Sequence, residues 1–404
     1  MQHAGNSKLV KKLNQAAILR ILRERGPLSR TEIAGLIHLN PSTVSRIVGE
    51  LLAEHLVFEE RKGQSSAKGG RQPIFLQFNY KASLIVGLDL GGTSMVGALA
   101  DLEGNILHRE SVPSRYGQEG LEALMALVEG LLHVPRLPGQ KVRAIGIGAP
   151  GVTRSQEGVV VWAPSLGWRE MPLKKIVEER FGIPTFVEND VNLHALGEHW
   201  QGAGRGVRDL VCIFIGTGIG AGIIINDELY RGADEAAGEV GYIIPHEKYL
   251  GRSYGEFGCL ESLAAGPGIV RSARQAIQRG IPTAILDLAA GDEGAITAEL
   301  VFAAARQGDA VAQKIVDETV RYLSIAVANV ASIINPRRIV LGGGIAKSDD
   351  LILEPIKRLI QGVVPAMPEI VPSQLGSDAG VLGAVSLALR STEDLIWKAA
   401  HPRG

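Results

Sequence analysis

Cysteine is nearly absent: Cys212 and Cys259 are the only two in 404 residues. A disulfide framework needs several paired cysteines and an all-cysteine zinc site needs four, so one chain builds neither. Aromatic residues are sparse at 5%, which leaves the cores to runs of Val, Ile, Leu and Ala. No apolar stretch approaches the ~18 to 20 residues that span a bilayer, and no signal-peptide pattern opens the chain. The expectation is a cytoplasmic protein with no membrane partner. The first 80 residues also contain no aspartate.

That last absence exposes an asymmetry hidden by the formal net charge of -1. Residues 1–80 hold 12 Lys and Arg against 6 Glu, a net of +6, and the remainder carries a net of -7. A basic head on an acidic body suits a nucleic-acid-binding domain joined to a soluble module. The length exceeds what one hydrophobic core normally fills. The 50 glycines and the aliphatic runs indicate an α/β body. The expected division is a head over 1–80, a first lobe over 81–200 and a second over 201–404, with a C-terminal helix returning to the first.

In the head, Ala17, Ile18, Ile21 and Leu22 recur at helical spacing within Asn14 to Arg25, before the breaker Gly26-Pro27. Ser29 and Glu32 have capping-box spacing ahead of Ile33, Ala34, Leu36 and Ile37. Asn40 caps a third helix, with Pro41 at its first position. There Val44, Ile47, Val48, Leu51 and Leu52 form one apolar face. The opposite face carries Ser42, Thr43, Ser45, Arg46 and Glu50. Short donors and one arginine let such a helix lie deep in a major groove, so Ser42, Thr43, Ser45 and Arg46 are the candidate DNA contacts. Leu56 to Glu60 and Ile74 to Phe78 read as two strands around a basic wing holding Arg61, Lys62, Lys68 and Arg71. Arg71, flanked by Gly69, Gly70 and Pro73, is placed for a narrow minor groove. A small helical bundle with a polar linker is the alternative.

Two glycine-rich turns mark the body. Asp89-Leu-Gly-Gly-Thr93 and Gly216-Thr-Gly-Ile-Gly220 each join two apolar strand-like runs, as in a duplicated nucleotide-binding fold. Bare glycine backbone lets N–H groups close on phosphate, and Thr93 and Thr217 add hydroxyls. Gly91, Gly92 and Gly218 are the other candidate phosphate contacts, and Asp89 is placed to hold Mg²⁺ if ATP binds. After the strand Arg338 to Leu341, Gly342 and Gly343 offer bare backbone to a flat adenosine. Gly342 to Ser348 is not a P-loop, because Ala346 stands where its glycine belongs. Gly146-Ile-Gly-Ala-Pro-Gly151 has dinucleotide-loop spacing, but Pro150 sits where the helix should start.

The strand Ile183 to Val187 delivers Glu188-Asn-Asp-Val-Asn192 at its end. Asp190 there is a candidate base for a substrate hydroxyl, and Asn189 holds neighbouring hydroxyls. A helix N-cap explains the same residues equally well.

Taken in order, the winged head, Asp89-Leu-Gly-Gly-Thr93, Gly148-Ala-Pro-Gly151, Glu188-Asn-Asp190, Gly216 to Gly222, Gly238-Glu-Val-Gly241, Gly258-Cys-Leu-Glu261 and Leu341-Gly-Gly-Gly344 resemble the ROK family. That family comprises sugar-responsive repressors and sugar kinases, and the resemblance spans essentially the whole chain. It implies an actin-like, hexokinase-type two-lobed ATPase fold with a sugar in the cleft. It further implies that Gly151, Asn189, Asp190, Glu239, Tyr242 and Glu261 surround the sugar, with Asp190 as catalytic base. Tyr242, Arg252 and Tyr254 stand where the family commonly has a histidine and two cysteines of a structural zinc site. With only Cys259 left, zinc is not expected. The leading expectation is a repressor binding operator DNA as a dimer or dimer of dimers, with a sugar effector. A Mg-ATP-dependent sugar kinase and a ligand-free dimerisation body are the alternatives.

Overall fold

The computed structural model describes residues 2–61, 74–136, 140–255, 257–347 and 350–398. The head is a winged helix. Helices Gln2–Arg25, Arg30–Leu36 and Pro41–Ala53 pack on a sheet in which Ile74–Phe78 lies between Leu28–Ser29 and Val57–Arg61. Ser29 and Glu32 form the complete capping box, and Asn40 accepts from Ser42 N. Ile18, Ile33, Val44, Ile47, Val48, Leu51 and Leu76 close one small core. Two expectations are corrected here. The first helix begins at Gln2 rather than Asn14, since no proline interrupts the preceding residues. The sheet gains the strand Leu28–Ser29, too short to leave an alternating pattern in the sequence. Lys62, Lys68 and Arg71 lie outside the described residues.

The body contains the same sheet twice. In the first, Ser83–Leu90 is central, with Lys141–Ala149 and then Thr185–Asn189 parallel on one side, and Ser94–Asp101 and Ile106–Pro113 antiparallel on the other. In the second, Leu210–Ile215 is central, with Arg338–Gly342 and Glu369–Pro372 parallel on one side, and Ile219–Ile225 and Glu228–Leu229 antiparallel on the other. Both central strands are buried nearly throughout because helices cover both faces of each sheet. Each glycine-rich turn lies between the central strand and its antiparallel neighbour, so the two turns occupy equivalent places.

Two helices, Asp190–Gln201 and Ala379–Lys398, cross between the sheets. Glycine makes the crossing possible. A Cβ on Gly87 would lie 2.6 Å from Val381 O, and one on Gly197 or Gly383 would overlap backbone of the facing helix, at Ala379 or Leu193. Glu198, fully buried, accepts from Ser373 Oγ at 2.6 Å, Leu375 N at 2.9 Å and Ala203 N at 2.7 Å, which ties the Asp190–Gln201 helix to the second lobe. Among the described residues no helix is long and apolar enough to cross a membrane.

Candidate functional site

Asp89 is the penultimate residue of its strand, and Asp190 opens the helix that follows Thr185–Asn189. The helix-capping role falls to Asn189, whose Oδ1 accepts from Asn192 N at 3.1 Å. Its Nδ2 donates to Gly151 O at 2.9 Å and to Asp190 Oδ1 at 3.1 Å. Gly151 adopts φ +81°, where a Cβ would meet Trp162 O, so this carbonyl is aimed by a glycine-only turn. Asp190 is thereby left for chemistry, held by Val191 N at 2.9 Å. Burial, and then the neighbouring Asp89 carboxylate, push its pKa up to about 7, against the opposing pull of His194. A carboxylate poised near neutrality suits a proton acceptor.

His194 was not singled out from the sequence. It lies four residues after Asp190 and therefore on the same helix face, the one signal that would have found it. Its Nε2 is 3.2 Å from Asp89 Oδ2 and its ring centroid is 4.6 Å from that of Phe214. Burial disfavours the imidazolium, but Asp89, Asp190 and Glu198 outweigh it and raise the His194 pKa.

The second lobe supplies the other carboxylates. Glu261, on the short helix Cys259–Ala264, accepts from Ile219 N at 3.0 Å and crowds Gly218 and Gly241, whose Cβ atoms would lie 3.0 and 2.9 Å from its Oε2. Burial raises the pKa of both Glu239 and Glu261, and Glu261 adds its charge to the effect on Glu239. Tyr242 belongs to the same cluster, since burial and these two carboxylates raise its pKa, although its side chain is largely exposed. Val191 packs against Gly220, bringing this group to the Asp190 helix. Where the zinc ligands of the family would stand, the Arg252 guanidinium lies 5.9 Å from the Tyr249 ring centroid and Cys259 is buried. His246 takes up a local role, accepting from Lys248 N at 3.0 Å.

Each turn is closed by its first glycine N–H, but over different spans, three residues in the first and two in the second. Gly91 N donates to Ser94 O and Gly216 N to Gly218 O, each at 2.9 Å. The N–H groups of Gly92, Thr93, Thr217 and Gly218 have no partner among the described residues. Backbone donors left free at an exposed glycine turn are what a phosphate chain requires. Beside the second turn opens a cavity of about 690 Å³, walled by Thr217, Gly266, Pro267, Arg274, Gly344 and Ile345. Gly344 reaches it, while Gly342 and Gly343 lie beneath, against the Phe214 ring and the Ile215 backbone.

Glu188 is 1% exposed and serves the architecture. It accepts from Ser155 Oγ at 2.8 Å and Asn192 Nδ2 at 3.0 Å within the first lobe, and from Arg231 Nε at 2.8 Å across the cleft. Ser155 N also donates to Glu235. Neither Arg231 nor Glu235 carries a sequence signal, because each pairing joins residues far apart in the chain.

In the head, Ser42, Ser45 and Arg46 are exposed and Thr43 is half-buried, all on the face opposite the core. Glu50 turns back to the first helix, meeting Lys11 Nζ at 2.9 Å and Gln15 Nε2 at 3.1 Å, with Arg46 at 3.2 Å. On this helix face the Glu50 carboxylate is thereby paired with both Lys11 and Arg46.

A model described as the ROK family matches residues 85–391, and one described as the MarR family matches residues 11–61. The xylose repressor of Caldicellulosiruptor bescii is 33% identical over 393 residues, covering 95% of this chain and 97% of the relative. A solved ROK family transcriptional regulator, a homologue of the E. coli MLC protein, is similar with a TM-score of 0.81 and 27% identity, over 97% of this chain and 99% of that one. A ROK family glucokinase from Streptomyces griseus, solved with glucose and AMPPNP, gives 0.67 and 36% over 76% of this chain and 99% of that one.

Proposed function

The chain belongs to the ROK family, and we propose that it is a sugar-responsive transcriptional repressor. The observation that carries this is the winged helix, its small polar face turned outward, built onto the same chain as a two-lobed body with a polar cleft. We place the head over 1–80 and the lobes over 81–200 and 201–404. Ser42, Thr43, Ser45, Arg46 and Arg71 contact operator DNA, and two copies of the chain present their helices to a two-fold site. Gly151, Asn189, Asp190, Glu239, Tyr242 and Glu261 hold the sugar hydroxyls. Sugar changes operator affinity by favouring one arrangement of the lobes over another. Because a relative matched end to end is named a xylose repressor, xylose is the first sugar to test.

The deciding experiment is a gel shift at moderate salt with the promoter region adjoining the gene, with and without xylose, glucose and other common sugars. Specific binding that a sugar changes supports the reading. Binding no tighter than to random sequence refutes it.

A second reading, ATP-dependent phosphorylation of the sugar, is favoured by the free N–H groups of both turns and by the pKa of Asp190. Asp89 would hold the magnesium ion of Mg-ATP, Gly92, Thr93, Thr217 and Gly218 the phosphates, and Gly344 the adenosine. Asp190 would take the proton from the attacking hydroxyl. Magnesium supplies charge neutralisation of the phosphates, and His194 has to leave Asp89 for this to occur. A coupled assay for ADP release across sugars tests it, with Asp190→Asn as control. Activity that survives the substitution removes Asp190 from the role of base.

A further inference from the structure

A second cavity, of about 520 Å³, opens at the junction of head and body, away from the cleft. Three parts of the chain converge on it: Arg23 from the last turn of the head's first helix, Trp200 and Gln201 at the end of the Asp190–Gln201 helix with Arg205 just beyond, and Arg390 from the C-terminal helix. Tyr80, Glu103 and Asn105 complete the polar wall. Three guanidiniums face one carboxylate, and that carboxylate already accepts from Asn105 Nδ2 at 3.1 Å.

The chemistry of the lining specifies a ligand. A guanidinium fork matches the oxygens of a phosphate monoester. The two amides are already oriented by their donors: Gln201 Nε2 donates to Glu103 O at 2.7 Å and Asn105 Nδ2 to Asp101 at 3.0 Å. Each is left with its amide oxygen as an acceptor for ligand hydroxyls. Arg390 is pre-oriented, donating to Asp227 O at 3.2 Å and lying 3.3 Å from His199 Nδ1. The exposed Arg205 side chain has no partner among the described residues. The volume falls within the ~300–1,000 Å³ of small-molecule sites.

From this convergence we propose that the junction cavity is a binding site for a phosphorylated sugar, separate from the cleft. Its occupant touches the first helix of the head and both lobe-crossing helices at once. The site therefore connects a phosphorylated metabolite to the orientation of the DNA-reading face. Binding itself does not depend on the repressor reading.

The test is calorimetric titration of the full chain with glucose 6-phosphate, glucose and inorganic phosphate, using wild type, Arg205→Ala and Asp190→Asn. Arg205 makes no contact that the fold requires, so its variant folds. The expected result is saturable glucose 6-phosphate binding that weakens on the order of tenfold in Arg205→Ala, from loss of one charge-assisted contact, and is unchanged in Asp190→Asn. Three results overturn the proposal: no saturable binding, binding lost with Asp190 but kept without Arg205, or inorganic phosphate binding as tightly as the ester.

Discussion

The Glu188 carboxylate, almost wholly buried, meets Arg231 Nε at 2.8 Å, and the two residues belong to different lobes. A charge buried this deeply is tolerated because Arg231, Ser155, Asn192 and the Asn189 N–H all point at it. Arg231→Met leaves that charge short of its counter-ion. The expected loss is about 2–3 kcal/mol, less than the ~3–5 of a fully buried pair because Arg231 is one-third exposed. Adding Glu188→Gln to Arg231→Met should restore part of it. Urea unfolding of the two variants against wild type measures both.

Asp190 gives stability a pH slope. Its folded pKa of about 7 stands above the ordinary aspartate value of 3.8, so between these values the folded chain retains a proton that the unfolded chain has released. Stability therefore falls as pH rises from about 4 to 7. His194 acts in the same direction, because a raised imidazole pKa contributes stability that is lost as pH rises through the folded value. Asp190→Asn removes the first contribution. The variant is expected to exceed wild type by about 2–4 kcal/mol above pH 7, a gap that closes toward pH 4. Thermal unfolding across that range checks it, and a gap that widens in acid contradicts the assignment.

Arg46 has little structural work to do. Its pairing with Glu50 at 3.2 Å is an exposed contact within one helix, worth about 0.3–0.5 kcal/mol. Arg46→Ala should leave the melting temperature nearly unchanged and weaken operator binding by about 1–3 kcal/mol. Titrations at two salt concentrations show whether the contact is to phosphate, in which case the salt slope falls by about one.

His194→Ala tests whether the imidazole competes for Asp89. With the 3.2 Å contact gone, the carboxylate is free for a cation, and Mg-ATP should raise the melting temperature further than in wild type. The gain corresponds to about 1–2 kcal/mol, the scale of one charged hydrogen bond. An equal or smaller shift shows that His194 helps nucleotide binding or plays no part in it.

Local chemistry was legible in the sequence. The Ser29–Glu32 box, the Asn40–Pro41 helix start and the paired glycine turns each depend on residues within a few positions of one another. What escaped were pairings set by the fold. His194 meets Asp89 across 105 residues, Arg231 meets Glu188 across 43, and Glu198 reaches Ser373 across 175. No periodicity or motif encodes such distances, so these side chains carried no sign of their partners. The assignment of Asn189 as cap also needed the structure, since Asn189 and Asp190 are equally good cap residues by type.

The C-terminal helix Ala379–Lys398 spans on the order of 30 Å. Near its start, Gly380 lies so close to Asp89 and His194 that a Cβ there would overlap both. Farther along, Ser386, Leu389 and Arg390 stand beside Arg23 of the head. One helix therefore packs against the cleft floor near its start and stands beside the head's first helix at its middle, with the tight glycine crossing at Gly383 between the two. Only ~10 Å of unbroken helix separates that crossing from Arg390, so the floor of the cleft and the base of the head share a single rigid element.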